Sequence, residues 1–122
     1  MIDSPPMLKP KSLIFAPLEG ITDALYRELI LEQYPEWDLL FTDFYRIPRH
    51  PHKSIKLLKN HIGLEVLSHP EWMNKTVVQV LTTSRDAIEK TCEELNELQV
   101  PWLDLNAGCP IVTGKQIGRA HV

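Results

Sequence analysis

The chain has 122 residues, 43% hydrophobic and 24% charged, the composition of one small globular domain or of part of a larger one. A formal net charge of -3, from 13 cations against 16 acids, argues against a protein that is basic throughout. No apolar run approaches membrane-spanning length and no signal-peptide core opens the chain. A soluble, cytoplasmic protein with no membrane contact is therefore expected.

Residues 1–11 carry Pro5, Pro6 and Pro10 and read as a disordered leader. Leu13 to Ala16 form a short apolar run bounded by Pro17, which suits a buried strand. Thr22 is placed to cap a helix from Asp23 towards Gln33. Leu25 and Leu29 lie one turn apart on it, and Tyr26 and Ile30 widen that apolar face. Pro35 stops the helix, and Asp38 to Phe44 form the second strand.

A loop with Pro48 and Pro51 leads to a short helix around Ser54 to Asn60. Thr76 to Leu81 is rich in β-branched residues and forms the third strand. Thr83 and Asp86 have capping-box spacing ahead of another helix. Its stripe Ile88, Cys92, Leu95 and Leu98 places Cys92 on the buried face as inert packing. Trp102 to Leu105 form the fourth strand.

The order βαβαβαβ with nearly continuous apolar strands predicts a parallel sheet covered by helices. No G-x-G-x-x-G run follows the first strand, which argues against a dinucleotide-binding Rossmann domain. The fold expected is α/β, the N-terminal half of a (β/α)8 TIM barrel, truncated after strand four.

In such barrels the site gathers at the carboxyl ends of the strands. That rule selects Pro17, Leu18 and Glu19 after strand one, Arg46 after strand two, Gln79 in strand three, and Asn106 with Cys109 after strand four. A buried amide such as Gln79 must find partners, in a heterocycle or in neighbouring backbone. Glu19 suits a ligand or the N-terminus of the first helix. Cys109, in the turn Asn106-Ala107-Gly108-Cys109-Pro110, is a proton donor or a structural cysteine. The two cysteines show no metal-site spacing and read as reduced thiols.

Charge is uneven along the chain. Between Asp43 and Glu65 there is no acid, while Arg46, Arg49, Lys53, Lys56 and Lys59 fall there with His50, His52 and His61. A basic island in an acidic protein suits a phosphate backbone, or else a solvated helix face.

The run Ala16-Pro17-Leu18-Glu19-Gly20-Ile21-Thr22-Asp23, followed by Asp104-Leu105-Asn106-Ala107-Gly108-Cys109-Pro110, resembles the tRNA-dihydrouridine synthases. The resemblance covers about Ser12 to Gly114. The loop after strand two looks most like the bacterial branch that modifies position 16 of the tRNA D-loop. It implies an FMN-containing TIM barrel that reduces uridine to 5,6-dihydrouridine, with NADPH supplying electrons and tRNA as partner to a monomeric enzyme. By the same resemblance, hydride reaches C6 of the uracil from reduced FMN and Cys109 protonates C5. Pro17, Leu18, Glu19, Gln79 and Asn106 then contact the flavin, and Arg46, Arg49, Lys53 and Lys56 contact RNA.

The chain departs from that family in lacking the later strands, with their lysine, histidine and phosphate-binding loops. The domain is accordingly delimited to 12–115 as a partial FMN-dependent barrel, expected to hold flavin weakly and to be inactive by itself. Ile117 to Val122 is what ATC-GGA-AGA-GCA-CAC-GTC, which reads as a common sequencing adapter, would encode, so 116–122 is expected to be a non-native tail. Two other readings stand beside this one. One is a catalytically dead RNA-binding remnant, and the other is an FMN barrel that reduces a small pyrimidine or enone.

Overall fold

A computed structural model describes residues 9–47, 54–81 and 85–106. Ten elements follow one another: β1 (Ile14–Phe15), α1 (Ala24–Gln33), β2 (Leu39–Phe41), β3 (Tyr45–Arg46), α2 (Ser54–Ile62), α3 (Leu64–Ser68), α4 (Pro70–Met73), β4 (Thr76–Leu81), α5 (Arg85–Glu97) and β5 (Trp102–Leu105). Every strand pairing is parallel. β1 pairs with β2, and β4 pairs with β2, β3 and β5. β2 and β3 are one strand position interrupted at Thr42–Phe44, because both lie along the same edge of β4. The predicted second strand therefore exists in two pieces and extends to Arg46.

The register explains how the layers form. Leu40 pairs with Thr76, Val78 with Leu103, and both Tyr45 and Leu105 with Val80. Paired residues of a parallel ladder face the same way, so these side chains share one face. On that face Leu40, Tyr45, Val78 and Val80 pack with Leu31 of α1, Leu58 and Ile62 of α2, Val66 of α3 and Leu95 of α5. All the major helices thus cover one side of a sheet whose strand positions follow chain order. A doubly wound sheet would place helices on both faces. The α/β class and the parallel sheet are as the sequence predicts, and the one-sided cover is the barrel arrangement. Leu103 and Leu105, at 45% and 52% exposure, extend the helix-facing side beyond the described helices.

α1 corrects two expectations. Its N-cap is Asp23, whose carboxylate accepts from the Tyr26 N–H at 2.9 Å. Thr22 is instead buried and bonded to Leu18, accepting from its N–H at 2.9 Å and donating to its carbonyl at 3.1 Å. The buried side chains of α1 are Arg27 and Leu31, while Leu25 and Leu29 are 67% and 52% exposed. The helix is rotated from the predicted face so that Arg27 enters the interior, where hydrogen bonds offset the cost of burying its charge. Its guanidinium donates to the backbone oxygens of Thr22, Ile62 and His61. The last two close α2, where carbonyls lack helical partners and a cation is favoured. Burial lowers the Arg27 pKa to about 10, against the raising effects of Asp43, Asp23 and Glu28, so the side chain stays charged at neutral pH.

Beyond the predicted short helix, α2 runs on to Ile62, and two further turns of helix, α3 and α4, bridge to β4. Gly63 makes the joint at φ 109°, where an added Cβ would stand 3.1 Å from the Ala24 Cβ. α5 corrects a third expectation, since Cys92 is exposed. The buried positions are Ala87, Thr91, Glu94 and Leu95. In the Cys109→Ala variant the remaining thiol is therefore expected to react with an aromatic disulfide reagent at an exposed-thiol rate, without denaturant. A lag that denaturant removes would contradict this placement. The leader up to residue 8, the proposed capping box at Thr83 and Asp86, and the tail at 116–122 lie outside the described residues or side chains. No helix among the described residues is long and apolar enough to cross a membrane.

Candidate functional site

Alternation along the strands places Leu39, Phe41, Val77, Gln79, Trp102 and Asp104 on the face opposite the helices. This is the inner face of the barrel arrangement, and it turns polar towards the carboxyl ends of β4 and β5. Gln79 pairs directly with Asp104. The Gln79 Nε2 donates to Asp104 Oδ2 at 2.8 Å, and Asn106 Nδ2 donates to Gln79 Oε1 at 3.2 Å. The Asn106 N–H extends the ladder past β5 by donating to the Val80 carbonyl at 2.8 Å. The Gln79 N–H donates to Thr42 Oγ1 at 3.0 Å, which ties β4 to the gap between β2 and β3.

Two residues selected from sequence, Gln79 and Asn106, are thus brought into direct contact. Gln79 is satisfied by side chains, not by neighbouring backbone. Asp104 completes the chain of bonds and was missed as a site residue. Its place in an apolar strand made it read as a strand position, although period-two spacing from Asn106 puts both on one face.

The segment after β1 forms a separate, tight rim. The Leu18 carbonyl accepts from the N–H groups of Ile21 and Thr22, each at 2.9 Å, and Gly20 turns the chain at φ 79°. Pro17 is half-buried, while Leu18 and Glu19 are exposed. Asp23 caps α1, so the capping role considered for Glu19 falls to Asp23. One strand position separates this rim from the Gln79–Asn106 pair. Cys109 lies outside the described residues, three positions beyond Asn106.

Of the basic island, Arg46 and Lys56 are exposed, and the Arg46 guanidinium stands over the Phe44 ring at 5.9 Å. Arg49, Lys53, His50 and His52 lie outside the described residues. His61 leaves the island altogether and turns inward. Its Nε2 is 2.8 Å from the Asp43 carbonyl oxygen, so that nitrogen carries the proton and donates it. The Asp43 carboxylate is 3.7 Å away, and the Tyr45 ring packs at 5.3 Å between centroids.

Burial lowers the His61 pKa from its ordinary value, opposed by the Asp43 carbonyl and carboxylate and assisted by Arg27. The unfolded chain, titrating near 6.5, then takes up a proton before the folded chain does. Stability is expected to fall as pH drops from about 7 to 5, because the unfolded state binds more protons there. Thermal midpoints across that range check this expectation. His61→Gln, which keeps an N–H donor and cannot titrate, should show a shallower fall, and an identical slope would contradict the assignment.

Residues 14–120 match the family model described as dihydrouridine synthase. No curated protein and no solved structure matches the chain.

Proposed function

Because this chain belongs to the dihydrouridine synthase family, we propose that it takes part in the flavin-dependent reduction of uridine to 5,6-dihydrouridine in the D-loop of tRNA. The observation that carries this reading is the bonded Gln79–Asn106 pair at the carboxyl ends of adjacent parallel strands, three residues ahead of Cys109. An isoalloxazine edge alternates hydrogen-bond donors and acceptors, and a pair of carboxamides offers both. The donor set therefore fits FMN. Gln79 and Asn106 would hold its ring, and Pro17, Leu18 and Glu19 would border it from the rim after β1. When bound and reduced at the expense of NADPH, FMN supplies the hydride for uracil C6.

The chain's own chemical contribution is the proton. A thiol of ordinary pKa, near 8.5, is mostly protonated at neutral pH, so Cys109 acts as the general acid that protonates C5. A uridine in folded tRNA must leave its stack to reach the mouth of a barrel. Arg46 and Lys56, exposed at the end of β3 and on α2, with Arg49 and Lys53 between them in sequence, serve the phosphate backbone that holds the RNA while it does so.

The test is direct. A full-length version that carries these residues in a closed barrel is incubated with an unmodified tRNA transcript, FMN and NADPH, and dihydrouridine is located by mass spectrometry of nuclease fragments. Dihydrouridine in the D-loop is the expected result. Salt-dependent tRNA binding without flavin absorbance would favour the RNA-binding remnant instead. Reduction of a free pyrimidine with intact tRNA left unmodified would favour a small-molecule reductase.

A further inference from the structure

We infer that Asp104 is a positioning residue that fixes which way round the Gln79 and Asn106 amides stand, and with them the donor and acceptor pattern that the site offers its ligand. A carboxamide has two ends of similar shape and opposite hydrogen-bonding character. Nothing in the shape of Gln79 determines whether its oxygen or its nitrogen faces β5. The neighbour across the ladder does determine it. An ionised aspartate accepts hydrogen bonds and donates none, so the group facing Asp104 Oδ2 at 2.8 Å must be the Gln79 nitrogen. The reversed amide would set a carbonyl oxygen against a carboxylate.

The choice then propagates. With its nitrogen committed to Asp104, Gln79 turns Oε1 towards Asn106, and that oxygen accepts from Asn106 Nδ2 at 3.2 Å. Asn106 is thereby oriented in turn through Gln79. One acceptor-only group sets the sense of Gln79 directly and acts on that of Asn106 through it. Gln79 keeps a second N–H, and its oxygen keeps a second lone pair, each with a fixed sense. All three side chains are partly buried, where a charge-assisted hydrogen bond is stronger than in water. The backbone reinforces the arrangement, because Gln79 and Asp104 are register partners and the Asn106 N–H is held by Val80.

The inference rests on the flavin reading only for the identity of the ligand that this pattern serves. The polarity itself is a property of the chain alone and is tested on the chain alone. The full chain is prepared with the side-chain nitrogens of Gln and Asn labelled, as wild type, D104A and D104N. In D104A the side-chain protons of Gln79 are expected to exchange with solvent about tenfold faster or more, and the Asn106 side-chain resonances shift with them. In D104N, where the new amide can present either end, both Gln79 and Asn106 should show a second set of signals while the fold is retained. Asn106 signals that stay at their wild-type positions in folded D104N would overturn the inference even if D104A failed to fold.

FMN titration of a full-length version supplies a separate reading. Affinity about tenfold weaker in D104A, and restored in part by D104N, is the expected result. If the amides respond as described but no full-length form binds FMN, the polarity stands and the flavin reading falls.

Discussion

In a full-length version, Cys109→Ala is expected to lower the rate of dihydrouridine formation by about 10²- to 10⁴-fold, the range that a positioned general acid contributes. The effect should appear in the chemical step, with FMN affinity unchanged. The proposed flavin contacts lie elsewhere, on the Gln79–Asn106 pair and the rim Pro17 to Glu19. Hydride arriving at uracil C6 leaves negative charge that a proton at C5 must quench, and alanine offers no acidic hydrogen there. Cys109→Ser should recover little, because a hydroxyl is a far weaker acid than a thiol at neutral pH. Single-turnover reduction of unmodified tRNA by the prereduced protein is the measurement that separates this step from flavin binding. Turnover within a few-fold of wild type in Cys109→Ala would remove the thiol from the mechanism. Loss of flavin in the same variant would instead make it a structural cysteine in a tight turn.

Arg27→Met is expected to be the most destabilising single change among the described residues. The methionine fills much of the space of the arginine stem, so the cost comes from the hydrogen bonds. The backbone oxygens of Thr22, His61 and Ile62 lose their donor together. Each buried carbonyl left without a partner costs roughly 1–3 kcal/mol, and the loss of all three should amount to about 3–5 kcal/mol after relaxation. Set against a typical domain stability of about 5–15 kcal/mol, that is a large share. At about 4–8 °C per kcal/mol for a small domain, the thermal midpoint should fall by roughly 15 °C or more. Arg27→Lys should recover only part, since a single ammonium cannot fork across three carbonyls. A midpoint within a few degrees of wild type for Arg27→Met would show that α1 and α2 are held by their apolar contacts alone.

The contrast between Arg27 and the strands shows which features of this fold are legible from sequence. Thr76 to Leu81 and Trp102 to Leu105 are found where expected, because an apolar, β-branched run between turn residues has few other uses. The α1 face is not found there. Leu25 and Leu29 sit at ideal helical spacing, yet the buried side is set by Arg27, whose partners lie 34 and 35 residues away. No local pattern carries that information. Cys92 fails for a different reason. From Ile88 the next inward position is three or four residues on, and hydropathy favours Cys92 where the helix buries Thr91. His61 was grouped with a basic run by composition, while its environment comes from Asp43 and Tyr45 across the fold.

The candidate site was more legible than the helix packing. Gln79 and Asn106 stand out because an amide in an apolar strand needs a purpose, and the carboxyl-end rule puts them on adjacent strands. Asp104 was hidden because its role depends on register. Only the pairing of Gln79 with Asp104 turns a strand aspartate into the group that orients two amides.

The central claim is that this chain serves the reduction of uridine in tRNA. The most direct measurement compares dihydrouridine, position by position, in tRNA from cells with and without the gene. Loss of dihydrouridine at a defined D-loop position, restored by the wild-type gene and not by its Cys109→Ala form, is the predicted result. Dihydrouridine unchanged at every position would contradict the claim.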